Sequence, residues 1–228
     1  MVCLWGPPWL PLRVQILAPL PADQRPRRSI QLLGGLLLYG LSAGMLIEAK
    51  LGIDPWDVLH QGIAHHTGIS IGKVTIGIGV LVLLGWIPLK QRPGLGTIAN
   101  AIVIGVAMDF ALDLLPQPDE IAVRAVFMVV GVGLSGLATG LYIGAGMGPG
   151  PRDGLMTGIA ARGHSIRVVR TGLEVTVLLL GWALGGNVGV GTVFYALTIG
   201  PIAHITIPAF TIGRAQAATP PDAHTSIP

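Results

Sequence analysis

The chain has 228 residues, 51% of them hydrophobic and only 11% charged, with a mean hydropathy of +0.70. Charged residues make up about a quarter of an ordinary soluble domain, so this composition excludes one and indicates a membrane protein. The net charge of +3 does not indicate nucleic acid, because the basic residues gather at the ends of apolar runs, where they set topology, and the single cysteine, Cys3, can form neither an internal disulfide nor a thiolate metal site.

Residues 1–28 carry six prolines and end in Arg25, Arg27 and Arg28. Proline at that density excludes a continuous helix, and the basic cluster follows the apolar part, the wrong order for a signal peptide. This segment is expected to be a disordered leader or an over-long start. Ser29 to Ala49 is a 21-residue apolar run, long enough at about 1.5 Å per residue to span a hydrocarbon core of about 30 Å. Glu48 and Lys50 at its end are expected at the interface.

The next stretch, Asp54-Pro55-Trp56-Asp57, has the marks of a helix start: Asp54 suits the N-cap, Pro55 the first helical position, and Asp57 the positive helix end. The segment it opens is about ten residues, too short to span, and is expected to be interfacial or re-entrant. A second spanning helix is expected over 71–89, with Trp86 marking the boundary beside Lys90 and Arg92. A third follows from Thr97 to Leu115, and 116–120 is a linker. The fourth, about Ala125 to Met147, aligns Gly136, Gly140 and Gly144 on one face for close packing. A second break, Gly150-Pro151-Arg152-Asp153, opens another short segment to about Gly163. Helices over 168–185 and 190–212 come next, and the polar tail 213–228 is expected to be disordered.

The chain also repeats itself. At an offset of 96, Gly52, Pro55, Asp57, Leu59, Gly62, Ile63 and Ala64 recur as Gly148, Pro151, Asp153, Leu155, Gly158, Ile159 and Ala160. Gly94-x-Gly-Thr97 recurs as Gly189-x-Gly-Thr192 after a one-residue shift. This defines repeat 1 as 29–115 and repeat 2 as 121–212. Three spanning helices per repeat is an odd number, so the second copy is expected to enter the membrane from the opposite side. The fold class is therefore all-α: a polytopic bundle of about six transmembrane helices, as two inverted three-helix repeats with a short half-helix in each. With both termini cytoplasmic, eleven basic residues lie inside and only Lys50, Lys73 and Arg124 outside, the asymmetry the positive-inside rule requires. If the short segments spanned, the repeats would instead be parallel.

Intramembrane ionisable residues are functional candidates by default. Asp109 and His204 occupy equivalent repeat positions and suit a proton relay. Their depths, however, differ by roughly 12 Å at the usual rise, which would require bridging water. The alternative puts Asp109 near the outer interface, with His204 on a backbone carbonyl. Glu174 lies one turn beyond Arg170, so the two can form a salt bridge. The paired breaks point to a substrate site formed by Asp57, Arg152, Asp153 and Glu174, because broken helices aim positive N-termini at solutes. In that scheme Arg152 or a helix end meets an anionic group, while a purely capping role for Asp57 and Asp153 stays open. His60, His65 and His66 lack a completing Cys or Glu, so no metal is expected, and no cofactor is implied. No G-x-S-x-G, H-E-x-x-H or Walker A pattern is present, and no enzymatic activity is expected.

The motifs Leu51-Gly-x-Asp-Pro-Trp-Asp-Val-Leu-His60, Gly68-x-Ser-Ile-Gly72, Arg92-Pro-Gly-x-Gly-Thr97 and Gly148-x-Gly-Pro-Arg-Asp-Gly154 resemble those of the bacterial YczE/YitT-like integral membrane proteins over about residues 30–212. The resemblance implies a multi-pass protein of the bacterial cell membrane and says little about chemistry. Two functions stay open at this point. One is a small-solute permease. The other is a non-transporting accessory or scaffolding protein that uses its glycine-rich faces to bind a membrane partner or a second copy of itself.

Overall fold

The computed structural model describes residues 23–213. Among them are eight helices and no strands: α1 (Arg25–Ala49), α2 (Pro55–Thr67), α3 (Ile71–Gly85), α4 (Leu95–Leu114), α5 (Ile121–Gly144), α6 (Pro151–Ala160), α7 (Ile166–Ala183) and α8 (Val190–Phe210). The first four correspond in order to the last four. Residues 115–120 join α4 to α5, and α1 begins at Arg25, with Pro26 in its first turn, within the segment whose prolines were expected to exclude a helix. Residues 1–22 and 214–228, the rest of the leader and nearly all of the tail, lie outside the described residues.

Four helices, α1, α4, α5 and α8, are long and apolar enough to cross a membrane, and α2 with α3 makes a fifth if that pair, bent by 115°, is one span. This is fewer than the six expected. Of the two that fall short, α3 stops at Gly85 after 15 residues, and α7 carries Arg167, Arg170 and Glu174 within its 18. The short helices are 13 and 10 residues long, and α2 is no surface element: Trp56, Asp57, Val58, His60, Gly62 and Ala64 are all buried.

The core is the α1–α5 pair, with α4 packed on α1 and α8 on α5. Gly136, Gly140 and Gly144 face α8 at Ile202, Thr206 and Phe210, as their spacing predicted. The two halves grip each other reciprocally. Arg28 donates to the Ala145 carbonyl at 2.7 Å, and its repeat mate Arg124 donates to the Ala49 carbonyl at 2.7 Å, so each arginine satisfies the exposed carbonyl end of the other half's first helix. It follows that α1 and α5 run antiparallel. Arg28 also bonds Asp23 at 2.7 Å, a hydrogen bond that holds this exposed carboxyl below the usual carboxylate range.

The breaks interlock in the same exchanged way. Gly96 N–H donates to the Met147 carbonyl at 2.9 Å and Gly191 N–H to the Leu51 carbonyl at 2.7 Å. Gly52 and Gly148 have φ of +110° and +121°, and a Cβ at either would lie 2.7 Å from the hydroxyl of Thr192 or Thr97 respectively. Only glycine serves there, for both conformation and space.

Trp86 is 2% exposed: its indole N–H donates to the Pro151 carbonyl at 2.9 Å and its ring lies over Gly154, where no side chain blocks it. Glu48 is buried in α1 at 5% exposure.

Candidate functional site

The site starts from the aspartate cap of α2. Asp54 Oδ1 accepts from the backbone N–H of Trp56 at 2.7 Å and of Asp57 at 3.1 Å, with Pro55 in the first turn, so the cap forms as the sequence indicated. The equivalent cap of α6 is Gly150, which has no side chain to offer. The carboxylate of Asp54 instead reaches across to the other break: Arg152 Nη1 lies 3.3 Å from each of its oxygens. Arg152 Nη2 donates to the Tyr39 hydroxyl at 2.6 Å. The guanidinium stacks 5.7 Å from the Tyr39 ring centroid and 5.9 Å from that of Trp56. Trp56 and Arg152 are repeat mates, so the substitution between copies puts an aromatic face and a cation against each other. This half-buried cation is held by an acid, a hydroxyl and two rings.

This cluster borders two cavities. The larger, about 470 Å³, is lined by Asp54, Pro55 and Trp56 from the first break and Arg152 and Asp153 from the second. It is completed by Tyr39, Tyr142, Arg170 and Glu174, and by Tyr195, Ile199, Gly200 and His204 of α8. The smaller, about 40 Å³, shares Tyr39, Trp56 and Arg152 and continues between Thr75 and Gly79 of α3 and Asn100, Ala101 and Ile104 of α4. Counted from their helix starts, Thr75 and Gly79 match Arg170 and Glu174, and Asn100, Ala101 and Ile104 match Tyr195, Ala196 and Ile199. The cavities are thus counterparts of very different size.

The seams beside them differ accordingly. On the small side α3 packs along α4, with the Gly72 and Gly105 backbones in contact. On the large side α7 and α8 have at most marginal contact, and nothing approaches within 4 Å of a Cβ placed at Gly200, the counterpart of Gly105.

Of the residues proposed from sequence, Arg152, Asp153 and Glu174 line the large cavity, and Asp57 lines the small one. Asp153 Oδ2 accepts from the Tyr142 hydroxyl at 3.1 Å. Glu174 pairs with Arg170 at 2.9 Å, the one-turn salt bridge their spacing predicted. Asp57 is 3.1 Å from His60 Nδ1, which is also 3.1 Å from the Thr75 hydroxyl. Asp109 and His204 are held apart in role. Asp109 accepts from the Ser70 hydroxyl at 2.6 Å and Gly72 N–H at 2.8 Å, capping α3, while His204 lines the large cavity.

Sequence reasoning missed the tyrosines. The chain has three, Tyr39, Tyr142 and Tyr195, and all three line the large cavity. Tyr39 and Tyr195 hydroxyls are 3.4 Å apart, and the Tyr39 and Tyr142 rings meet edge to face at 6.3 Å. Their signal was present: a phenol inside an apolar run carries a hydroxyl that needs a partner.

Three relatives place the chain among known sequences. It is 45% identical over 172 residues to an uncharacterized protein of Haemophilus influenzae, covering 75% of this chain and 79% of that one. It is 36% identical over 178 residues to the uncharacterized membrane protein YczE of Bacillus subtilis, covering 76% and 82% of the two chains. The uncharacterized protein YyaS of the same organism is 25% identical over 181 residues, covering 76% and 89%. No solved structure matches. Residues 26–208 match the family of unknown function DUF6198, and with YczE as a relative the chain belongs to this YczE-like membrane protein family.

Proposed function

We propose that the protein is a small-solute permease of the bacterial cell membrane. Its two inverted repeats alternate access to a site between the paired helix breaks. The observation that carries this reading is the large cavity lined by both breaks, with a collapsed counterpart on the other side of the Tyr39–Trp56–Arg152 layer. Two like halves in unlike states are what an alternating machine of repeats requires: exchanging the states closes one cavity and opens the other. The antiparallel α1–α5 pair supports inversion, because equivalent spanning helices then cross in opposite directions. The arginine tethers support both termini lying on one side, since the start of α1 lies with the ends of α5 and α8, and the start of α5 with the end of α1, and the positive-inside asymmetry makes that side the cytoplasmic one. Under this reading α3 and α7, each with its half-helix, complete the crossing that neither makes alone.

The scaffolding alternative rested on free glycine faces. Gly136, Gly140 and Gly144 are spent inside the molecule on α8, which leaves that face without a surface to offer. The test is uptake into proteoliposomes of a broad panel of labelled small solutes. Saturable uptake of at least one, lost in an Asp57→Asn, Asp153→Asn double variant that still folds, is expected. No uptake across the panel, with stoichiometric recovery of a membrane partner from cells, would overturn the reading.

A further inference from the structure

Resting on the permease reading, we infer that the large cavity is a site for an organic cation, a protonated amine or quaternary ammonium, with Asp153 as its counter-ion. The ion pairs decide the sign. Arg152 is matched by Asp54, and Arg170 by Glu174. Asp153 has no cation within salt-bridge distance among the described residues, and only the Tyr142 hydroxyl reaches it. An unmatched carboxylate in a membrane-embedded cavity is costly and marks a place where positive charge is received.

The walls have the complementary chemistry. Tyr39, Trp56, Tyr142 and Tyr195 give the cavity four aromatic side chains, whose faces attract ammonium groups. The cavity already demonstrates this attraction, because the Arg152 guanidinium stacks on two of those rings. The volume of about 470 Å³ suits a small organic solute. The anionic partner that Arg152 suggested from sequence is supplied internally by Asp54, so among the Asp, Glu, Lys and Arg side chains that line the cavity Asp153 alone is left for a solute to meet.

Calorimetric titration of the full-length protein in zwitterionic-lipid nanodiscs, with empty discs subtracted, tests the assignment using tetraethylammonium, butylammonium, butanol and butyrate. Saturable binding of a cation, at least about tenfold tighter than butanol or butyrate, is expected. Asp153→Asn should weaken it by about tenfold or more and Asp153→Glu should restore part of the loss, with both variants retaining the wild-type unfolding temperature to within a few degrees. Equal cation binding by Asp153→Asn, preference for butyrate, or no saturable cation binding would overturn the assignment. If proteoliposomes then still take up uncharged or anionic solutes, the cation assignment alone fails and the permease stands. Cation binding that depends on Asp153 without flux of any solute upholds the site and overturns the permease.

Discussion

One exchange between the repeats, Trp56 in the first and Arg152 in the second, sets the character of the site. A strictly repeated Trp or Arg would put two like groups together; the mixed pair makes a cation–aromatic contact and leaves Asp54 free to hold the guanidinium. Asp54→Asn and Arg152→Gln are predicted to couple. Because Arg152 is 29% exposed, the interaction energy from a double-mutant cycle of detergent unfolding should fall at about 0.5–1 kcal/mol, in the lower part of the range for contacting residues. Additive effects would mean that the pair does not form. At this scale the sequence was legible where chemistry forces local geometry. Asp before Pro at a helix start could be read as a cap, and Arg170 with Glu174 as a one-turn pair. It was illegible where a residue's partner comes from elsewhere in the chain: nothing local distinguishes a cavity tyrosine from a core one, or reveals that Trp86 turns inward onto the carbonyl of Pro151.

At the scale of elements, the same helix pair appears twice in different states. Gly105 packs against the Gly72 backbone, whereas its counterpart Gly200 has open space. Gly105→Ala should therefore destabilise the protein by about 1–3 kcal/mol through overpacking. Gly200→Ala should be neutral or slightly stabilising, since alanine is the better helix former. Thermal unfolding of the two variants checks this, and equal losses would mean that the seams are alike. The arginine tethers make a second prediction. Arg28→Met leaves the carbonyls at the ends of α5 and α8 without their charged donor, which should cost about 2 kcal/mol and lower the unfolding temperature. The two helix starts marked by proline, at Pro55 and Pro151, were legible and fell where expected, whereas α5, which has no such mark, starts at Ile121 and not near Ala125. Helix ends and depth were not legible. The α3 helix stops at Gly85 because Trp86 is drawn under α6, a contact 65 residues away in sequence. The length of α2 allows an interfacial or a re-entrant segment and says nothing of the α7 helix that covers it.

At the scale of the whole molecule, the repeat is what sequence and structure share most fully. Corresponding positions of the two halves make reciprocal contacts: Arg28 to Ala145 and Arg124 to Ala49, Gly96 to Met147 and Gly191 to Leu51. What identity could not convey is that two similar halves need not be in the same state. Topology is tested by enzyme fusions: alkaline phosphatase after Gln117 should be active, and the same fusion at the C-terminus inactive. Activity at both points or neither would refute inversion.

The most direct measurement is the width of the two seams in the same protein, by double electron–electron resonance in lipid nanodiscs. With Cys3→Ser as background, Val80 with Ile102 reports on α3 and α4, and the matching exposed positions Val175 with Leu197 report on α7 and α8. The account predicts a short distance for the first pair and a long one for the second as the main populations, each with a minor population at the other's value. A solute that binds the cavity should shift both ratios in opposite senses. A single unshifting distance in each seam, whatever solute is bound, would contradict alternating access.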